Sequence, residues 1–585
     1  MLFLPQNLYA FVMRSVTVDN KVASNVDIKK IISYKLGKDL KMKNIAAAIG
    51  VLLGIMTFGI VLYYVVEIAK GYYHSDCTDT IMWAQAACDA GGLVNEDFGY
   101  AGLLPLGGQL FMMPFVALWG VGLKAQIAGM TIFYICFCAA LIIICRAMKF
   151  GWGWTGTTFS AVLMFVSSSE KLREIFWEHI IYYSQSVLGI IVGVALALLC
   201  LNNWDDDTDE VTSERKKTRE NIQIENKRFF KTVLYVALLT LWTVIFTANG
   251  AQMTIMYAMP LVGAILLERY FDINKKLLTR SNKRYYLLAG IVIAASLAGL
   301  LIGIFIKGDI KVSYADAYSS FSRMSDWSNN ALKFFTEYFS LLGVDTNTSI
   351  IMYSNKGIVI LLRILAGCVL MAVPVIMAFL YRKFEQISYR YMIIVYHITA
   401  VVIVAGWIFG RLNAANWRLS PLVAMSAILC VMFAKWIVER KKYMRFSIFV
   451  LVPLLAMIIV TASSIFTLDK STEKNKELNY AIEVIENNGL EYGYATFWNA
   501  NIMTLLSDSK VKVRNVILSE DGVVKTTYQS NSNWYENAPE YERYFLMMTE
   551  SEYNKYYDGG SSIEKPYYVI ASGGYIILVY NHRIF

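Results

Sequence analysis

Apolar residues in this chain gather into runs of roughly 17 to 25, the length that carries an α-helix across a hydrocarbon core of about 30 Å. Such runs lie near 44–66, 125–146, 153–169, 182–201, 232–248, 252–266, 285–307, 357–380, 391–410, 420–437 and 445–466. A twelfth apolar stretch, 104–121, is interrupted by Pro105, Gly107, Gly108 and Pro114, residues that break a helix. From about 467 to the end the pattern changes, with shorter apolar runs and more polar residues. Leu478, Ile482 and Ile485 recur at helical spacing. VKVRNVIL (511–518) alternates like a half-buried strand, and YYVIASGGYIILVY (567–580) reads as a hairpin turning at Ser-Gly-Gly. The expected fold is an all-α polytopic membrane domain of about eleven spans plus a re-entrant or surface segment. It is followed by a small α/β or α+β domain. The boundaries fall at 1–43 for a basic N-terminal tail, 44–466 for the membrane domain and 467–585 for the soluble domain.

Composition agrees with a membrane protein and excludes a soluble enzyme: 56% of the 585 residues are hydrophobic, 17% are charged and the mean hydropathy is +0.45. The net charge of +9 would point a soluble protein toward acidic partners. Here Lys and Arg lie between the spans, where they set orientation, so the bilayer is the partner and nucleic acid is not. Six of the eight cysteines, Cys136, Cys138, Cys145, Cys200, Cys368 and Cys430, sit in or at the edges of apolar runs as small hydrophobes. Cys77 and Cys88 share a loop, but helix between them would hold them too far apart to bridge.

Charge also settles the crossing order. Basic clusters at Arg215, Lys216, Lys217 and Arg219, at Lys275, Lys276, Arg280, Lys283 and Arg284, and at Arg440, Lys441, Lys442 and Arg445 all belong on the cytoplasmic side. Counting every apolar run as a crossing would put the first cluster outside, so one run does not cross, and 104–121 is that run. The tail, with Lys29, Lys30, Lys35, Lys38, Lys41 and Lys43, is then cytoplasmic. The first loop, the 169–179 turn, the 308–356 loop, the 411–419 turn and the C-terminal domain face outward. The compact loops and the absence of eukaryotic retention signals favour a bacterial cytoplasmic membrane.

Chemistry is expected first in the segment from His74 to Gly120, where acidic and aromatic residues precede the broken apolar stretch. Acidic side chains and broken backbone at the membrane are costly unless they line an aqueous cavity. Asp79, with Trp83 four residues on and Ala84, Ala87 and Leu93 beyond, opens a short amphipathic helix lying on the membrane. From spacing alone Asp79 is either its cap or a functional carboxylate, and Asp76 either a loop charge or its companion. The whole arrangement resembles the GT-C superfamily of integral-membrane glycosyltransferases, in which Asp79, Trp83, Pro105, Pro114 and Trp119-Gly120 match the acidic first-loop motif, the following aromatic and the Pro-containing segment. Where many relatives have Asp-Glu, this chain has Asp79-Thr80, with Asp76 as a second carboxylate.

The resemblance implies transfer of a sugar, with inversion, from a polyprenyl-phosphate donor to a cell-envelope glycan, lipid or protein acceptor at the outer face. Asp79 or Asp76 would act as the base toward the acceptor hydroxyl. The phosphate leaving group calls for cationic or N–H donors, for which Lys171, Arg173, Arg411 and Arg418 on outer turns are the candidates. His74, Trp83, Glu170, His179, Asn249, Gln252 and Trp327 are candidate sugar or acceptor contacts. The 308–356 loop adds Tyr314, Asp316, Tyr318, Arg323 and Tyr338 and is long enough to form a lid. Each has a plainer reading: a snorkelling, salt-bridged turn for 167–184, a satisfied interior imidazole for His179, and lipid-headgroup pairing for the arginines. No cofactor is expected, since two carboxylates without a further ligand make a poor cation site, although some relatives need a divalent ion. No P-loop, dinucleotide fingerprint, HExxH or serine elbow is present. The rivals are a transporter, which would show paired halves with matching broken helices, and a noncatalytic envelope-assembly scaffold.

Overall fold

The computed structural model describes residues 25–585, apart from 211–218, 272–281, 311, 313–319, 346–348, 469–473, 537–538 and 561, and apart from the side chains of 25–42, 204–210, 219–225, 441 and 442. Most of the N-terminal tail, the lysines and arginines at 215–217, 275, 276 and 280, and Tyr314, Asp316 and Tyr318 therefore lie outside the described residues or side chains.

The chain forms a helical bundle: α1 (Asn25–Tyr63), α2 (Asp79–Ala90), α3 (Gln109–Trp119), α4 (Leu123–Ala147), α5 (Trp152–Phe165), α6 (Tyr182–Glu210), α7 (Arg219–Thr247), α8 (Met259–Phe271), α9 (Lys283–Lys307), α10 (Trp327–Leu341), α11 (Asn355–Phe379), α12 (Ile387–Ile408), α13 (Ser420–Glu439) and α14 (Ile448–Phe466). Ten helical stretches among the described residues are long and apolar enough to cross a membrane. The protein is an integral membrane protein. The fourteen-residue α5 is shorter than these ten. It nevertheless returns the chain from the Ala147 end, where the Asn202 amide donates to the Ala147 carbonyl (2.9 Å), to the far end, where Trp177 donates to Ser167.

Two features make the short α5 viable. Gly50 of α1 meets Gly153 and Gly156 of α5 so closely that a Cβ on Gly156 would stand 2.1 Å from the Gly50 carbonyl oxygen. Small residues let the backbones touch, which is where helix pairs in lipid find their packing energy. Helix α5 is also buried on nearly every side, so its length is matched to protein and not to lipid.

The segment expected not to cross does not. Gly108, before α3, packs on the Ile180 carbonyl and Thr80, while Leu123, after it, donates its N–H to the Asp508 carboxylate of the C-terminal region (2.8 Å). Both ends of α3 thus lie at the sheet-bearing end of the bundle. One detail departs from expectation: Pro114 sits inside α3 and does not break it. Only the ends of the stretch, 104–108 and 120–121, are non-helical, because a proline six residues into a helix costs one hydrogen bond that a short helix packed between α2 and α4 tolerates.

The C-terminal region adds α15 (Lys476–Asn487), β1 (Tyr492–Thr496), α16 (Phe497–Leu506), β2 (Lys512–Ser519), β3 (Gly522–Lys525), β4 (Tyr544–Thr549), β5 (Tyr568–Ser572) and β6 (Tyr575–Tyr580). The sheet order is β3-β2-β1-β4-β6-β5, with β1 parallel to both β2 and β4 and the remaining pairs antiparallel. The β5–β6 hairpin turns through Gly573 and Gly574, both at positive φ, as the Ser-Gly-Gly sequence requires. One face of the sheet carries Ala495, Val513, Phe545 and Ile577 into the continuous core that runs through the bundle. The other face buries Tyr494, Val516, Leu546 and Tyr580 in a core of its own.

Candidate active site

The site is assembled where the first loop meets the C-terminal sheet. Helix α1 unwinds into wider and tighter turns at 64–71, the chain runs extended at His74, and a single turn at 75–78 delivers Asp79 as the first residue of α2. No side chain caps α2, so Asp79 is not its cap. Nor is the helix exposed with one apolar face, as an amphipathic surface helix would be. Ile81, Met82, Trp83, Ala84, Ala86 and Ala87 are all buried, because α3 covers one side and the C-terminal region covers another. This is a correction to the amphipathic surface helix expected from its sequence.

The cover is a stretch of backbone pairing. Gly99 donates to the Ser530 carbonyl (2.9 Å), Gln529 donates back to the Gly99 carbonyl (2.7 Å), and Ser532 donates to Asp97 (3.0 Å), around an antiparallel bridge between Phe98 and Asn531. The contact fixes Gln529, whose side-chain oxygen accepts the Trp83 indole N–H (2.8 Å) and whose backbone carbonyl accepts from the Asn501 side-chain amide of α16 (3.1 Å). Gln529 also neighbours Asp79. Burial pushes the Asp79 carboxyl well up from its ordinary value and the negative charge of Asp76 adds to the rise, while Gln529 draws it down. The buried Oδ1 of Asp79 has no hydrogen-bond partner among the described residues. Trp83→Phe keeps an aromatic ring and removes the indole N–H. Losing one hydrogen bond costs about 1 kcal/mol, so we expect activity that depends on Asp79 to fall roughly fivefold to tenfold at unchanged protein yield.

Behind the loop stands the 167–179 segment. Ser169 caps a short helix by accepting the Leu172 N–H (3.1 Å), and a wider turn at Glu174–Glu178 rotates both glutamates inward. Glu174 is ion-paired with Lys171, stands 3.4 Å from His74 Nε2 and 3.9 Å from His179 Nε2. Burial would raise its pKa, but the His74 hydrogen bond and the charges of His179, His74 and Lys171 hold it at about 2. Glu174 is therefore ionised throughout the physiological range. Burial pulls His179 down to about 4 against the pull of Glu174, whereas for His74 the Glu174 contact outweighs burial and raises the pKa. His74 is the imidazole that takes up charge, and His179 stays neutral, its Nδ1 3.1 Å from the Asp76 carbonyl oxygen.

Glu178 is enclosed. It accepts from the Tyr64 hydroxyl (2.5 Å) and the Cys77 thiol (3.7 Å), and burial raises it to about 7. A carboxyl that is raised in the fold stabilises most when protonated. That contribution is complete below about pH 4.3, the ordinary glutamate value, and is lost as pH climbs through 7. Glu178→Gln keeps the shape without the charge. It should melt with wild type at pH 5 and several degrees above it at pH 8, a gain of about 2–3 kcal/mol read in detergent unfolding scans.

The remaining candidates are distributed around this centre. Lys171 lies over the Trp417 ring at 4.7 Å, bringing the 411–419 turn to the 167–179 segment, and Glu170 pairs with Lys474. Arg418 is buried and donates to the Arg411 carbonyl (2.8 Å), leaving Arg411 exposed. Arg173 is buried over the Tyr64 ring and donates to the Ser167 carbonyl (3.1 Å). Beside it, Arg363 of α11 donates to the carbonyls of Gly343 and Ser168. Asn249 accepts the Leu106 N–H (2.9 Å) and so braces the broken segment, with Gln252 half-buried three residues on. Trp327 stands apart: it donates to Ser322 and packs edge-on to Phe409, fastening the loop before α10.

Sequence reasoning gave no role to Gln529, Glu174, Glu178, Arg363 or Lys474. The charge density of 170–179 was a usable signal for the two glutamates. Nothing local marks Gln529, 450 residues from Asp79. Cys77 and Cys88 are both free. No group of three or more His, Cys, Asp or Glu side chains among the described residues is arranged to hold a metal ion.

No protein family matches the chain, and no curated protein matches it. Among solved structures it is similar to ArnT from Cupriavidus metallidurans bound to undecaprenyl phosphate, at 8% identity over 90% of this chain and 97% of that one with a TM-score of 0.49. It is similar also to the Archaeoglobus fulgidus oligosaccharyltransferase in complex with zinc and sulfate, at 10% identity over 90% and 73% with a TM-score of 0.47. The same ArnT in its apo state covers 91% and 98% at 10% identity and a TM-score of 0.41. The likeness is one of overall chain arrangement.

Proposed function

We propose that the protein is a membrane glycosyltransferase that moves one sugar from a polyprenyl-phosphate donor to an acceptor hydroxyl, with inversion. The single observation that carries the reading is Asp79: a carboxylate with one unpartnered buried oxygen, raised by burial and by Asp76, held at the junction of the first loop and the C-terminal sheet. A raised carboxylate approaches the working pH, which is where a general base is most effective. In the step proposed, Asp79 takes the acceptor proton as the acceptor oxygen bonds to the anomeric carbon, and the bond from that carbon to the phosphate oxygen breaks. The electron pair leaves with the lipid phosphate, so that end of the site needs positive charge and no general acid.

Lys171 is the best placed cation, being half-exposed and next to the loop, with Arg173 and Arg363 behind it and Arg411 on the facing turn. Glu174 is already matched by Lys171 and His74. The proposed step is written without a divalent ion. Aligning the charge clusters with the positive-inside rule puts the Arg440–Arg445 end in the cytoplasm and the sheet-bearing end outside, in a bacterial cytoplasmic membrane.

The deciding experiment is sugar transfer by the purified protein in nanodiscs, given a panel of radiolabelled polyprenyl-phosphate monosaccharides and a crude envelope acceptor. Label moving from lipid to acceptor with one donor supports the reading. No transfer and no donor binding across the panel sinks it.

A further inference from the structure

The larger of the two best-formed cavities lies away from Asp79, on the C-terminal region, with a volume of about 590 Å³. That is within the range of small-ligand sites. It opens outside the carboxyl ends of the parallel strands: Thr496 ends β1 and Phe497 and Trp498 follow it, Ile517 and Leu518 lie near the end of β2, and Ser551, Glu552, Lys555 and Tyr556 follow β4. Strand order reverses at β1, since the chain goes from it to β2 on one side and later to β4 on the other. A crevice at such a point is where open α/β sheets bind ligands.

The lining names the ligand's chemistry. Trp498 is 64% exposed, although it starts a helix whose later residues are buried, and it shares the cavity with Phe497, Tyr528 and Tyr556. Phe497 is stacked edge-on against Tyr528 at 4.9 Å, which fixes one wall. An indole left in water over a cavity offers an apolar face flanked by polar atoms. The charges lining the cavity are one carboxylate and one ammonium, and Glu552 is already spent on the Thr496 hydroxyl (2.8 Å) and the Thr549 backbone N–H (2.9 Å). An anionic ligand such as a nucleotide would find no charge surplus here. A neutral ligand with flat C–H faces and many hydroxyls fits: a pyranose ring on Trp498, with hydroxyls toward Ser551 and Lys555.

The cavity is also joined to the catalytic loop. Tyr528 lines it, and the next residue, Gln529, holds the Trp83 indole beside Asp79. We propose that this cavity is a carbohydrate-binding subsite that holds a neutral glycan acceptor, joined to the Asp79 loop through Tyr528 and Gln529. Its use as an acceptor site rests on the glycosyl-transfer reading; its binding of sugar does not.

The test is binding of the full-length protein in nanodiscs to an array of neutral and anionic oligosaccharides, comparing wild type, Trp498→Ala and Asp79→Asn, followed by acceptor KM in the transfer assay. Trp498 is too exposed for its removal to unfold the protein, and Tyr528→Phe serves as a folded control that retains the wall. Expected is binding to a subset of neutral glycans, weakened at least tenfold by Trp498→Ala and unchanged in Asp79→Asn, with acceptor KM raised and donor KM constant. Wild type that binds no neutral glycan, or Trp498→Ala that binds like wild type, overturns the subsite. Trp498-dependent glycan binding without transfer would keep the subsite and remove the transferase reading. Transfer with acceptor KM untouched by Trp498→Ala would do the reverse.

Discussion

Asp79→Asn is expected to lower sugar transfer by roughly 10²- to 10⁴-fold, the usual contribution of a well-placed general base, while the protein still purifies folded and binds donor. The amide is isosteric and cannot take a proton. Burial already favours a neutral group at this position, so the substitution should leave stability equal to wild type or slightly higher. The pH profile gives an independent reading. Because burial and Asp76 raise the Asp79 pKa, kcat/KM in wild type should fall on the acid side with a midpoint above the usual aspartate value of about 3.9. Asp76→Asn should move that midpoint down, since it removes the charge that lifts Asp79. A midpoint that stays put in Asp76→Asn, or transfer that survives in Asp79→Asn, would move the base elsewhere.

Gly99→Val should be the most damaging change outside the chemistry. A Cβ at Gly99 would fall 1.4 Å from the Thr527 carbonyl oxygen, a backbone atom that no rotamer change can move aside. The paired strands at 97–100 and 529–532 would have to part, and Gln529 would leave Trp83. The bundle itself does not depend on that contact. We expect a protein that inserts and extracts normally, is cut faster by protease in the first loop or before β4, and has lost about 10²-fold or more of its transfer. Wild-type proteolysis and activity in Gly99→Val would show that the pairing does not set the site.

The two halves of the architecture were legible to different degrees, and for physical reasons. Hydrophobic runs longer than a bilayer is thick are unambiguous, and the charge of the loops was enough to demote 104–121, whose two ends indeed meet the same end of the bundle. The C-terminal helix at Leu478–Ile485 and the hairpin at Ser572–Tyr575 followed from period and turn chemistry. What sequence could not give was contact at a distance. The first-loop helix has the composition of a surface helix, Ala-rich with scattered polar residues, and is buried because α3 covers one side and a segment more than 400 residues away covers another. Glu174 and Glu178 are four apart, a spacing that in a regular helix would put them on one face beside each other. The wider turn at 174–178 gives them separate fates, one matched by Lys171 and His74, the other enclosed by Tyr64 and Cys77.

The pairing of residues 97–100 with 529–532 also sets an order of events during synthesis. Asp79 is made early, but the residue that braces its neighbourhood lies 446 positions beyond Trp83. Until that stretch has been made and folded against the loop, the 97–100 backbone lacks this pairing and Trp83 lacks the Gln529 acceptor for its N–H. A chain made only as far as its spans therefore carries its carboxylates without the contact that braces them, and the first loop is completed by a much later part of the polypeptide.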